Sequence, residues 1–256
     1  MAEKKYTPMM QHYLKMKEEN PDSILFYRLG DFYEMFFEDA KLVSQELDLV
    51  LTGRSAGVEE KVPMCGIPFH AANSYIQRLV KKGYKVAICE QLEDPSSAKG
   101  LVDRGIIKII TPGTYMDATM DAKSTNYMAS CDVSSFEITV IYCELSTGEL
   151  KYQTLQRSLV ALQKALLEQN VSELVCPMTM DKKWMAALEE MDTMLISKHK
   201  KANIDPEDLP LLNGIESESL KEAFALLMAY LKDTQKQRID HFLPIESMDK
   251  DKVLVM

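Results

Sequence analysis

Cysteine is sparse in this sequence, and its spacing excludes the commonest structural uses of the residue. Five cysteines are spread over 256 residues, and none forms a C-x-x-C pair. An odd number of widely separated cysteines fits neither a disulfide framework nor a structural zinc site. We therefore expect reduced, buried thiols at all five positions. They are Cys65, Cys89, Cys131, Cys143 and Cys176.

Long apolar segments are also missing. The run from Ala223 to Leu231 is too short to span a bilayer, which takes roughly 20 residues in a helix. The first six residues, Met1-Ala-Glu-Lys-Lys-Tyr6, contain no apolar core of a signal peptide. These absences predict a cytosolic protein with no membrane partner.

Glycine occurs ten times, but never in a phosphate-binding pattern. Neither G-x-x-x-x-G-K-[ST] nor G-x-G-x-x-G is present, so we expect no nucleotide cofactor in these residues. No G-x-S-x-G motif or Cys/His pair with a third orienting group indicates a nucleophilic enzyme. His70 has no second ligand at metal spacing and is predicted to be a helix-start or core residue.

Basic residues are outnumbered, 30 to 39, giving a net charge of -9. This balance argues against a nucleic-acid partner, because phosphate contacts require Lys and Arg. The acidic excess, however, lies mostly in residues 118–256, whereas residues 1–117 are close to neutral. The first half can therefore still present a basic surface on one side.

The length and composition are typical of a globular protein with two α/β domains. With 46% hydrophobic and 27% charged residues, a chain of this length can form two separate cores. We predict a first domain at residues 1–115, a polar linker at 116–127 and a second domain at 128–256. Alternating strands and helices in the second domain predict a partly parallel sheet. The apolar ending, Asp251 to Met256, leads us to expect a longer polypeptide.

The segment from Arg28 to Asp39 contains the most informative residues of the chain. A strand-like run at residues 24–27 precedes it, Gly30 interrupts it, and apolar residues then recur at helical spacing. This pattern predicts a strand-to-helix corner that carries Phe32 and Glu34. The helical positions are Phe36, Ala40, Val43 and Leu47.

A purely structural interpretation of this corner is available. Asp31 would cap the helix, Glu34 would reach back as in a capping box, and Phe32 would enter the core. A second predicted capping box, Ser219-x-x-Glu222, would begin a long helix in the second domain.

The following segment, residues 53–70, contains a candidate phosphate contact. Arg54 lies in a predicted loop at residues 53–60 that suits a hairpin turn or a mobile tip. There it is either a solvated charge or a contact to nucleic-acid phosphate. Residues 62–70 contain two prolines and a glycine, so we predict an edge strand or an irregular extended segment.

A metal-dependent nuclease is one rival function, since it needs two to four converging carboxylates. Asp31, Glu34, Glu38 and Asp39 are close in sequence, and Asp132 ends a predicted strand. Their spacing does not place them on one surface, so this reading is the weaker one. A pure protein-interaction module is the other rival.

Several motifs in one order resemble the bacterial MutS family of DNA mismatch-repair proteins. The resemblance extends over essentially all 256 residues, and the combination is highly specific. Phe69 stands where the family usually has Tyr, which we interpret as a packing variant. The motifs are Thr7-Pro-Met-Met10, Phe26-Tyr-Arg-Leu-Gly-Asp-Phe-Tyr-Glu-Met-Phe36, Pro63-Met-Cys-Gly-Ile-Pro-Phe-His70, Val86-Ala-Ile-Cys-Glu-Gln91 and Thr111-Pro-Gly-Thr114.

This resemblance implies a mixed-sheet α/β mismatch-recognition domain followed by a ribonuclease H-like α/β connector domain. The lever, clamp and ATPase parts of the family, which use ATP and Mg²⁺, would lie beyond Met256. The implied partners are mismatched or looped double-stranded DNA, MutL at the connector, and a second copy of the full-length protein. The fragment itself would be non-catalytic.

The family's Phe-x-Glu element matches Phe32 and Glu34. By this resemblance Phe32 stacks on a mispaired base from the minor groove and Glu34 contacts that base. Arg54 stays a candidate contact to the DNA backbone on its loop position alone. A stacking wedge, unlike a core residue, must be solvent-exposed when DNA is absent. The exposure of Phe32 therefore separates the two interpretations.

Overall fold

The computed structural model describes residues 6–93, 102–116 and 125–248 of the chain. It divides into two compact units, Met1–Thr111 and Pro112–Met256, here called unit 1 and unit 2. Residues 117–124 of the predicted linker lie outside the described residues. No helix in the described ranges has the length and apolar character needed to cross a membrane.

Unit 1 is built around a mixed six-stranded sheet with the order β3-β4-β2-β1-β5-β6. Only the β1–β5 pairing is parallel among its strand pairs in the described residues. The strands are β1 (Ser23–Leu29), β2 (Phe32–Phe36), β3 (Thr52–Arg54), β4 (Val62–Pro68), β5 (Lys85–Gln91) and β6 (Arg104–Ile110). The helices are α1 (Pro8–Glu19), α2 (Phe37–Leu47) and α3 (Ala72–Val80), with a 3₁₀ turn at Phe69–Ala71.

The two faces of this sheet are covered by different helices. On one face Met10 and Tyr13 of α1 pack with Tyr27 and Phe36 in a fully buried cluster. Successive strand residues point to opposite faces. Cys65 therefore lies on the other face, where its thiol donates a hydrogen bond to the Ala40 carbonyl of α2.

Asp39 connects the layers of unit 1. Its buried carboxylate accepts hydrogen bonds from the Leu25 backbone N–H and from Lys17 Nζ, both at 2.9 Å. The Tyr13 hydroxyl lies 3.5 Å from the same carboxylate. One side chain of α2 thus joins α1 to the central strand β1. This contact holds in place the strand from which the β1–β2 hairpin extends.

Unit 2 contains a second mixed six-stranded sheet with the order β11-β10-β7-β8-β9-β12. The predicted mixed α/β fold is therefore confirmed, with two mixed sheets. The strands are β7 (Tyr127–Val133), β8 (Glu137–Glu144), β9 (Glu149–Gln156), β10 (Val171–Pro177), β11 (Leu195–His199) and β12 (Glu246–Ser247). The helices are α4 (Leu159–Glu168), α5 (Lys182–Glu189) and α6 (Glu218–Gln235), with a 3₁₀ turn at Leu209–Leu212.

Two separate apolar clusters form the core of unit 2. Helix α6 packs Phe224 and Leu227 against Met128 and Ile141 on one face of the sheet. On the other face α4 and α5 cover a second set of strand residues, including Cys131 of β7 and Cys176 of β10. All five cysteines of the chain are free and buried, which confirms the prediction.

A buried carboxylate holds the start of unit 2 to its sheet. Glu173 on β10 is fully buried and accepts hydrogen bonds from Ser197 and from Tyr230, each at 2.5 Å. It also accepts one from the Gly113 backbone N–H at 3.0 Å. A Cβ atom at Gly113 would lie 2.9 Å from Met128 Cβ, so only glycine fits this approach without displacement.

The predicted capping box at Ser219 is wrong. Helix α6 is capped by the Ser217 side chain, which accepts the Leu220 N–H at 3.3 Å. Ser219 lies inside the first turn and its hydroxyl donates to Asp132 at 3.0 Å. The Ser219 hydroxyl, which was predicted to cap the helix, instead contacts Asp132 of β7. The local sequence pattern does not indicate this contact.

Candidate nucleic-acid interface

The segment that carries Phe32 and Glu34 is a β-hairpin, so the predicted strand-to-helix corner is wrong. Strands β1 and β2 pair antiparallel with Leu29 opposite Phe32, which leaves Gly30 and Asp31 as a two-residue turn. Gly30 has φ of +59°, which suits a residue without a Cβ at the first turn position. The helix begins only at Phe37, after β2 has paired with β4 on its other side.

Phe32 projects from the first position of β2 with 46% of its surface exposed. It lies opposite Leu29 on one side and opposite Pro68 on the other. Further along the same face, Phe36 is buried under α1, so only the turn end of β2 leaves an aromatic ring in solvent. The structural interpretation in which Phe32 enters the core is therefore wrong.

Glu34 does not form a capping box. The residue preceding α2 is Phe36, and no side chain caps this helix. Glu34 instead forms an ion pair with Arg54 of β3, and its own side chain is only 14% exposed. It shares a face of β2 with Phe32, because the two are separated by one residue.

Arg54 lies at the end of β3, opposite Val62 of the antiparallel strand β4. The predicted hairpin turn is therefore confirmed, although Gly53 and Arg54 belong to the strand that precedes it. Strand β4 was predicted to be an edge or irregular segment, and this is wrong: it lies between β3 and β2. Its prolines, Pro63 and Pro68, stand near the two ends of the strand, where loss of an N–H donor is tolerated.

Contacts from the opposite face brace the hairpin turn. The Phe69 backbone N–H donates to the Asp31 carbonyl at 2.9 Å. The Arg28 guanidinium lies 3.8 Å from the centre of the Phe69 ring, a cation–π contact in a partly buried position. These contacts hold Gly30 and Asp31, and with them the backbone that presents Phe32.

Glu90 on β5 completes this brace. It forms an ion pair with Arg28 at 3.3 Å and accepts a hydrogen bond from the Tyr33 hydroxyl. Burial, together with the neighbouring Glu90 carboxylate, raises the pKa of Tyr33 well above its usual value, so the phenol remains a donor. Sequence reasoning missed this role of Glu90, because it lies 62 residues from Arg28 and 57 from Tyr33.

The carboxylates considered for a nuclease do not converge in the structure. Asp39 is buried against Lys17, and Glu38 pairs with Lys41 on the helix surface. In unit 2, Lys201 Nζ lies 3.0 Å from Asp132. Within residues 6–93, 102–116 and 125–248, no three His, Cys, Asp or Glu side chains are grouped as metal ligands.

Comparison with known proteins gives consistent results for both units. Residues 7–119 match the family model described as MutS domain I. The chain is 44% identical over 253 residues to the DNA mismatch repair protein MutS of Bacillus licheniformis, covering 97% of this chain and 28% of that protein. The protein of the same description from Clostridium tetani is 44% identical over 248 residues, covering 93% of this chain and 28% of that protein.

A third relative is similar to this chain over nearly the same length. The DNA mismatch repair protein MutS of Bacillus subtilis is 42% identical over 250 residues, covering 97% of this chain and 29% of that protein. The chain therefore spans less than a third of the length of these relatives, and the matches run through both units. On these comparisons the chain belongs to the MutS family, with residues 7–119 as its MutS domain I.

Proposed function

We propose that this chain recognises mismatched or looped double-stranded DNA in mismatch repair, with Phe32 as the residue that stacks on the mispaired base. The observation that carries this proposal is the exposed ring of Phe32 on a braced hairpin within a MutS domain I. A single exposed aromatic residue is ordinary by itself, so the support comes from the combination of exposure, a braced backbone and the position of Phe32 in the Phe-x-Glu element.

The proposed mechanism uses the deformability of DNA as the signal. A ring that enters the minor groove must separate a base step, at a cost of a few kcal/mol, and it kinks the duplex. This cost is lowest where base pairing is already weak. A mismatch or small loop therefore accepts the Phe32 ring more readily than a perfect duplex does.

Stacking also explains how one residue serves many kinds of error. Each base presents a π-face, so stacking on Phe32 returns about 1–3 kcal/mol whatever the base. Although β1 and β4 flank β2 on both sides, Phe32 is 46% exposed, so part of its ring is accessible to a base. The bracing by Phe69 and Arg28 limits the conformational entropy lost on binding.

Glu34 is proposed to contact the mispaired base directly. An ionised carboxylate only accepts hydrogen bonds, and it is repelled by DNA phosphates. A mismatch offers a free base N–H, or a ring nitrogen that a protonated Glu34 can bind, whereas a paired duplex offers neither. Glu34 would therefore penalise binding to perfect duplex more than binding to a mismatch.

Replacing Glu34 with Gln or Ala is expected to strengthen binding to perfect duplex relative to mismatch. The substitution removes a charge worth about 1 kcal/mol near a phosphate in water, so perfect-duplex affinity should rise about threefold to tenfold. The measurement is a fluorescence anisotropy titration of the full-length protein with two duplexes of the same sequence, one fully paired and one with a single mismatch.

Glu38→Gln is the matched control for this experiment. It makes the same charge change four residues away, on an exposed helix position paired with Lys41. It should leave the ratio of mismatch to perfect-duplex affinity unchanged. An unchanged ratio in the Glu34 variants as well would contradict the proposed contact.

We further propose that these residues bind DNA without cleaving it. The support is that Asp132, the carboxylate of unit 2 considered for a nuclease, shares Lys201 Nζ with Glu222, at 3.0 Å and 2.5 Å. An ammonium group in this position satisfies the carboxylates that a catalytic metal would need. ATP hydrolysis with Mg²⁺ and homodimer formation are proposed for the full-length protein.

Unit 2 is proposed to be the ribonuclease H-like connector that relays the bound state and docks MutL. Unit 2 has a cavity of about 450 Å³ whose lining mixes apolar residues, such as Met228 and Phe242, with charged ones, such as Asp208 and Arg238. We expect a fragment of residues 112–256 to bind MutL measurably by surface plasmon resonance. A properly folded fragment that shows no binding at high concentration would contradict this assignment.

A further inference from the structure

We propose that Arg54 sets the degree of mismatch discrimination by neutralising Glu34, rather than acting as a simple phosphate contact. This inference rests on the proposed function of unit 1. The observation behind it is the ion pair between the two side chains in the DNA-free structure.

The strand register brings these two residues to one surface. Glu34 lies opposite Gly66 on β4, and Arg54 lies opposite Val62 on the same strand. Val62 and Gly66 are separated by an even number of residues and point to the same face. Gly66 has no side chain, and a Cβ atom there would lie 3.6 Å from Glu34 Cγ, so the Glu34 side chain lies against β4 on the side that leads to Arg54.

The two partners differ in accessibility. The Arg54 side chain is 37% exposed and the Glu34 side chain 14%, so the cation is the outer member of the pair. A DNA backbone that approaches this surface meets the guanidinium first. Because a guanidinium carries five donors, Arg54 can hold Glu34 and still offer donors to a phosphate.

The pair also changes the charge that DNA meets beside the Phe32 ring. With Arg54 in place, the carboxylate and guanidinium together are neutral, and the repulsion between Glu34 and phosphate is damped. Partly exposed ion pairs contribute little to stability, so this one can rearrange during binding without unfolding the sheet. Arg54 therefore reduces the penalty that Glu34 places on perfect duplex.

Removing Arg54 should expose that penalty. In the full-length protein, Arg54→Gln is expected to weaken binding to perfect duplex about tenfold and binding to a mismatch about threefold, because a mismatch gives Glu34 a base partner. The ratio of mismatch to perfect-duplex affinity should therefore rise about threefold. Arg54→Lys keeps the charge and should restore most of the wild-type ratio.

A double-mutant cycle with Glu34→Gln decides whether Arg54 acts through Glu34. In the Glu34→Gln background, Arg54→Gln should weaken both duplexes equally and leave the ratio unchanged. The inference is overturned if Arg54→Gln changes the ratio equally in both backgrounds. It is also overturned if, with Glu34 present, Arg54→Gln weakens both duplexes equally or lowers the ratio. Wild-type protein with no mismatch preference would instead refute the proposed function itself.

Discussion

Phe32→Ala is expected to abolish the preference of the full-length protein for mismatched DNA. Loss of stacking worth about 1–3 kcal/mol should lower mismatch affinity about tenfold to a hundredfold. Affinity for perfect duplex should change less than twofold, because the ring has no favourable site in a fully stacked helix. Titrations of one duplex sequence with and without a single mismatch measure both values.

Stability measurements separate this effect from unfolding. Phe32 is 46% exposed, so its removal should change the free energy of unfolding by less than about 0.5 kcal/mol. Phe136→Ala is the matched control, since Phe136 is an exposed phenylalanine, 89% accessible, beside the β7–β8 turn of unit 2. Retained mismatch preference in a folded Phe32→Ala protein would rule out the stacking role.

Glu173→Ala is expected to destabilise unit 2 by about 3–5 kcal/mol. The substitution removes the acceptor for the hydroxyls of Ser197 and Tyr230 and for the Gly113 N–H. Each buried donor that loses its acceptor costs roughly 1–3 kcal/mol, and the deleted side chain leaves a cavity in a fully buried position. The destabilisation caused by Glu173→Gln should lie between that of Glu173→Ala and zero, because the new amide nitrogen is a donor that faces other donors.

The chain contains a convenient probe for this measurement. Its single tryptophan, Trp184, is on α5 of unit 2, so tryptophan fluorescence in a denaturant titration reports unfolding of that unit. Glu168→Ala is the control, since it removes an exposed carboxylate whose ion pair with Lys164 contributes little. If the midpoint for Glu173→Ala matches this control, the buried carboxylate is not the anchor described here.

The candidate site was predictable in its residues but not in its local structure. Phe32 and Glu34 could be identified from the Phe-x-Glu element, yet the sequence pattern predicted a corner with a helix cap. A glycine followed by an acidic residue is compatible both with a helix start and with a hairpin turn. The pairing of β2 with β4, some 30 residues further along the chain, makes this segment a strand.

Short-range patterns predicted other elements well, because their causes are local. Thr7 followed by Pro8 is typical of a helix start, and Thr7 caps α1. Ala40, Val43 and Leu47 lie on the buried face of α2 as predicted, whereas Phe36, also predicted to be helical, ends β2. The prediction for β4 failed for the opposite reason. Proline and glycine disfavour an interior strand, but here the prolines stand near its ends and β3 covers only part of its length.

The sequence by itself determined the family, the two α/β units and the identity of the two candidate site residues, because these depend on residue type and spacing along the chain. Only the tertiary structure decided that the Phe32 ring is exposed, that Arg54 forms an ion pair with Glu34, and that Glu90 braces the hairpin. Those properties arise from strands far apart in sequence. Burial and ion pairing depend on which side chains meet across a sheet, and strand register, which no local pattern encodes, sets those neighbours.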